Sequence, residues 1–225
     1  MPVLLRQMRA SSKAEHFEMI RAAESAIACM QKLRLRGENV VSAVLDGRAY
    51  VEWEHYPPDD ARDGTSGAQY YYHAHAEEDG RTPDFGHFHA FVHESSPRVE
   101  VPVQPDIAEA SVSHLIGISM ARDGLPTKLF TTNRWVTGER WLPAERLVAL
   151  LPQFVVVGAS GDYVSEWITS MVVLFRPVIT DLLIERDSTL ASRQRSHPDI
   201  DVFEDRRCAI TSEREISLQD RIAAL

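Results

Sequence analysis

The sequence predicts an α+β fold in a single domain over residues 1–225: an antiparallel β-meander, free to curl toward a partial barrel, covered on one side by N- and C-terminal helices. Three observations carry this expectation. Helical periodicity is confined to the two ends of the chain, strand-like runs fill its middle, and turn signals separate those runs. No linker divides the chain, and its apolar (44%) and charged (25%) fractions are those of a globular protein, which excludes a mostly disordered one.

Residues 1–37 form the N-terminal helical part. Ser12-Lys13-Ala14-Glu15 has the spacing of a capping box, in which the serine hydroxyl accepts from the Glu15 amide and the glutamate reaches back. Ile20, Ala23, Ile27 and Met30 then recur at helical steps, Lys32, Arg34 and Arg36 suit the negative end of the dipole, and Gly37 can close the helix.

Residues 38–141 are expected to form the sheet. Val40–Leu45 and Ala49–His55 read as strands joined at Asp46-Gly47, a hairpin dipeptide. Residues 56–67, rich in proline, glycine and aspartate, read as a loop. Tyr70–Glu77 and Phe85–His93 read as a second hairpin, and Ser113–Met120 and Thr127–Val136 as a third pair of strands around Arg122-Asp123-Gly124. In residues 142–225, Pro143–Leu151 suits a short helix opened by proline, Asp162–Arg195 suits one or two helices broken near Pro177, and Arg207–Leu218 a last strand.

The formal net charge is −9, and residues 51–110 alone hold ten more acidic than basic side chains. A chain of this balance is a poor phosphate binder, so nucleic acid and anionic membranes are not expected partners and a small-molecule substrate is. The apolar run Ile168–Ile184 is interrupted by Arg176, Pro177 and Asp181 and reads as a buried helix. Cys29 and Cys208 make neither a disulfide framework nor a thiolate zinc site, and no export signal opens the chain, so reduced thiols and a cytoplasmic location are expected. Oligomeric state is not legible.

Seven of the nine histidines lie between positions 55 and 114. In a strand, residues i and i+2 share a face, so His73-Ala74-His75 and His87-Phe88-His89 each present two imidazoles side by side. A hairpin centred on Arg81 sets His73 opposite His89 and His75 opposite His87. Tyr71, Glu77, Phe85, Phe91 and His93 share that face, while Tyr72, Ala74, Phe88, Ala90 and Val92 form an apolar one turned to the core. Imidazole nitrogens bind first-row metals at about 2.0–2.1 Å, and a sheet holds them at low ordering cost. The expected centre is a divalent transition metal (iron, zinc or copper), mononuclear or dinuclear, on His73, His75, His87 and His89, completed by His114 or Glu77. His55 and Tyr71 are candidates for proton transfer and Arg134 for clamping an anionic substrate group. The reading leans toward oxidative chemistry on iron or copper. A zinc hydrolase or lyase, a non-catalytic metal- or ligand-binding accessory protein, and a metal-free enzyme using histidine acid–base chemistry stay open, as does a polar surface with no ligand.

His87-Phe88-His89 followed by His114 resembles the three-histidine zinc arrangement of α-type carbonic anhydrases in those residues alone, and cupins place a similar His-x-His on a barrel strand. His73-Ala74-His75-Ala76-Glu77 approaches the metallo-β-lactamase run but ends in glutamates, and Phe91 stands where a histidine-triad hydrolase carries its third histidine. Over most of its length, through YYYHAH, GHFHAF, HLIGISM and LFTTNRWVTGERW, the chain resembles an uncharacterised family of bacterial proteins. That resemblance implies no activity.

Overall fold

The computed structural model describes residues 12–74, 85–93 and 112–225. Helix α1 spans Lys13–Leu35 and begins with the expected capping box between Ser12 and Glu15. Its buried stripe, Met19, Ala22, Ala23, Ala26, Cys29 and Leu33, runs offset from the expected one, which leaves Ile27 exposed. Small residues on this stripe let α1 lie close along a later helix, α5 (Tyr163–Leu174).

Val40–Leu45 is a helix, α2, where a strand was expected. Asn39 and Ser42 cap it reciprocally, and Asp46, in the left-handed region at φ 51°, ends it. Val40, Val41 and Val44 are buried on one side of it, and this tertiary burial outweighs the strand preference of β-branched residues. Ala49–His55 is therefore not a strand either. The first strand, β1 (Tyr56–Arg62), falls in the segment read as loop. It pairs at Tyr56↔Tyr72 and Ala61↔Tyr70 with an irregularity between, and its two prolines sit in that bulged part of an edge strand, where no ladder amide is needed.

Strands β2 (Gln69–His73), β3 (His87–His93), β4 (Val112–Met120), β5 (Pro126–Thr132) and β6 (Ile210–Glu215) follow in chain order. All neighbours pair antiparallel, giving an open six-stranded meander. The fifth strand stops at Thr132 instead of Val136, because Asn133 caps a short helix, α3 (Arg134–Thr137), that Gly138 closes at φ 63°. Helix α4 is Ala144–Leu150. The long C-terminal helix is two, α5 and α6 (Arg176–Ser196), which meet at 72°. The break lies at Phe175, with Pro177 in the first turn of α6, where a missing amide costs nothing. A last helix, α7, covers Leu218–Ala223. Among the described residues no single helix is long and apolar enough to cross a membrane.

The helices cover one face of the sheet. Tyr72, Phe88, Ala90, Ile116, Ile118 and Leu129 point into a core closed by Trp167, Ile168, Leu182 and Leu183, and Tyr70 reaches Ser165 at 3.0 Å. Each large apolar side chain buried there contributes about 1.5–3 kcal/mol. The opposite face carries the histidines and is buried too. Gly117 on β4 lies opposite His89 on one side and Phe130 on the other, and a Cβ at this position would overlap the Phe130 ring, which packs on both His87 and His89. Gly117→Ala is therefore expected to lower stability by about 1–3 kcal/mol through overpacking. A urea denaturation midpoint equal to that of the native protein would contradict this close approach.

Candidate metal centre

Three cross-strand rows make up the histidine face. The first is His73–His87–Ser119, the second Tyr71–His89–Gly117–Phe130, and the third Phe91–His114. The two strands expected for the second hairpin pair antiparallel, as β2 and β3, but their register is two residues from the one centred on Arg81: His73 opposes His87, and Tyr71 opposes His89. A shift of two keeps every side chain on its face, so the histidines still gather while their partners change. His75 and Glu77 lie outside the described residues.

The donor nitrogens of His73, His87 and His89 lie within 4.8 Å of one another, and these three residues can hold a metal ion. Imidazoles around an ion in tetrahedral geometry place their nitrogens about 3.3 Å apart, so small side-chain rotations suffice. His73 Nε2 and His87 Nε2 are 2.7 Å apart, a hydrogen bond in which one ring donates and the other accepts. An ion would take the place of that shared proton. His89 is 1% exposed and His87 9%, while His73 is half-buried, so the cluster reaches solvent on the His73 side.

His114 reaches this face by an irregularity in β4. Gly117 and Ser119 alternate correctly opposite His89 and His87, but between Ala90 and Phe91 the register slips by one residue. Leu115 becomes the extra residue, and His114, which strict alternation would send into the helix-side core, turns to the histidines. Its Nε2 meets His89 Nδ1 at 2.9 Å, its Nδ1 meets Thr132 Oγ1 at 3.2 Å, and its backbone amide donates to the Glu139 carboxyl. His114 thus lies behind His89 and not beside His73.

His55 sits at the solvent side. Its ring stacks on Tyr71 with centroids 3.6 Å apart, and its Nδ1 is 2.9 Å from Asp60 Oδ1. Asp60 also accepts from Gln69 Nε2 at 2.6 Å. Tyr71 packs between His55 and Phe91, and burial raises its phenol. Trp53 stands edge-on to His73 at 6.3 Å. Arg134, expected at a strand end as a substrate clamp, opens α3 instead, where its guanidinium lies 2.7 Å from Glu204 and 3.6 Å from Asp201 and covers the Phe203 ring. The structure does not bring it among the histidines.

Several residues escaped the sequence reading. Thr132 shares a face with Phe130, and strand alternation alone could have found it. Asp60 lay in a segment read as loop, and nothing in the local sequence marks Glu139. Ser119 Oγ and Glu139 Oε1 are buried with no hydrogen-bond partner among the described residues.

Burial sets the charge state of the site. His89 is held well below its ordinary value of 6.5 by desolvation and then by the neighbouring His87 and His114. His114 is lowered to about 3 by desolvation, then by Arg186 and His87. Both rings are therefore neutral at physiological pH, the form in which an imidazole has a lone pair to give a metal. Desolvation pushes Glu139 up to about 8, against the opposing His114 amide, Arg186 and Arg134.

A family model described as "Domain of unknown function (DUF6969)" matches residues 20–216. No curated protein and no solved structure matches the chain.

These shifts give opposite pH dependences. A histidine lowered on folding contributes stability that is present above pH 6.5 and lost as pH falls, through about 3 for His114. A carboxyl raised on folding contributes stability that is present below pH 4.5 and lost as pH rises through about 8. In chelator-containing buffer, His114→Gln is expected to flatten the acid limb of a stability–pH curve and Glu139→Gln the limb between pH 4.5 and 8. Parallel curves for all three proteins would show that neither group is shifted.

Proposed function

The chain belongs to the DUF6969 family, and we propose that it is a metal-dependent small-molecule enzyme whose mononuclear centre is held by His73, His87 and His89. The convergence of three imidazoles within 4.8 Å on a rigid, buried sheet face carries this reading. Divalent transition metals suit such a set, because imidazole binds iron, copper and zinc alike and three ligands leave positions for exogenous molecules. Burial of His89 and His114 supports it further, since buried imidazoles held neutral beside the cluster suit a cation better than a polar surface does.

The reading favours oxidative chemistry on iron or copper, with dioxygen as the oxidant. Tyr71, Phe91 and Phe130 surround the histidines with aromatic rings, which shield reactive species from water. The metal would supply the sites for oxygen and substrate, and the chain would orient them, exclude water and hold protons at His55 and Tyr71. One observation favours a second reading, a zinc hydrolase or lyase. The His55 Nδ1–Asp60 contact leaves Nε2 as the basic nitrogen on the solvent side of the cluster, where a proton acceptor is wanted. A cytoplasmic location belongs to the same proposal and fits two buried free thiols.

Elemental analysis of untagged protein, purified without chelator and reconstituted under reducing conditions, is expected to give close to one metal per chain. A His87→Ala, His89→Ala double variant is expected to give little. Substoichiometric metal in both proteins overturns the metal reading. Bound zinc with no oxygen-dependent change in spectrum would favour the hydrolytic reading over the oxidative one.

A further inference from the structure

Resting on that metal reading, we infer that His114 is a positioning residue and not a ligand: it fixes the tautomer and ring orientation of His89 through a hydrogen-bonded relay that ends on Thr132. A neutral imidazole has one N–H and one lone pair, and the partners of the two nitrogens decide which is which. His89 Nδ1 lies 2.9 Å from His114 Nε2, so Nε2 is the nitrogen His89 has left for the ion. The proton of His89 then sits on Nδ1 and is donated to His114 Nε2. His114 accepts on Nε2, so its own proton sits on Nδ1 and is donated to Thr132 Oγ1 at 3.2 Å. Each assignment forces the next. The reverse order would put a proton on His89 Nε2 and close it to a metal.

Three further observations show that this relay is built into the fold. The slip in β4 register brings His114 to the histidine face at all. The Glu139 carboxyl holds the His114 backbone amide at that slip. Both rings are 1% exposed, so no water competes for the nitrogens. Partners of this kind fix ligand orientation and raise ligand basicity, and losing one lowers metal affinity by roughly 10- to 100-fold.

The test compares His114→Ala, His114→Gln, Thr132→Val and the His87→Ala, His89→Ala double variant. Copper(II) affinity is measured against a competing chelator, and the number of coordinated imidazoles is read from nitrogen hyperfine couplings. His114→Ala is expected to lose roughly 10- to 100-fold in affinity with the imidazole count unchanged. His114→Gln, whose side-chain carbonyl can accept from His89 Nδ1–H, is expected to recover most of the loss. Thr132→Val is expected to shift the hyperfine pattern with a smaller change in affinity, and it decides the matter with His114→Gln if the alanine variant does not fold. Loss of one coordinated imidazole in His114→Ala, or native affinity and spectrum in it, overturns the positioning role. Native affinity in the double variant overturns the metal reading itself, so the two failures are distinguishable.

Discussion

Strand β3 is buried on both faces, and most of the structure follows from how its two faces are satisfied. One face, Phe88, Ala90 and Val92, needs only apolar volume, which α5 and α6 supply. The other carries His87, His89 and Phe91, and two buried imidazoles must find hydrogen-bond partners or cost several kcal/mol. No single neighbouring strand meets that need. β2 answers His87 with His73, β4 answers His89 with His114, and β5 completes the chain with Thr132. The order of the meander is thus the order in which the polar groups of β3 are paired.

The register of each pairing matters more here than the identity of the strands. His73 meets His87 because the ladder runs without interruption from Gln69 to His73. His114 meets His89 because the next ladder is interrupted. Gly117, between them, allows Phe130 to pack nearly perpendicular to both rings of β3, where a larger residue would have pushed it away. A regular ladder on one side and an irregular one on the other are both required to put four imidazoles on one face.

The sequence made the histidine face legible because strand alternation is a strict period, and His-x-His is its plainest signature. It also made the capping box of α1, the short helix after Pro143 and the last strand legible, since each has a local cause. What stayed hidden had causes beyond the local sequence. The register of β2 against β3 escapes the alternation pattern, because a shift of two residues leaves every side chain on its face. The helical state of Val40–Leu45 depends on what its valines pack against, although Asn39 and Ser42 carried a usable capping signal. The strand at Tyr56–Arg62 contradicts its own prolines and is tolerated because it is irregular and at the edge. The bulge that turns His114 around leaves no mark in the residues HLIGISM.

That edge has a further consequence. An open sheet offers unpaired amides and carbonyls along its outermost strands, a template on which other chains can pair and aggregate. Here β1 meets the solvent with Pro57 and Pro58, a break in register and Asp60 at φ 52°. At the other side β6 presents Glu213, Arg214 and Glu215. Neither border suits the addition of a further strand, so the sheet is guarded against growth into polymers by an irregular segment at one edge and a charged one at the other.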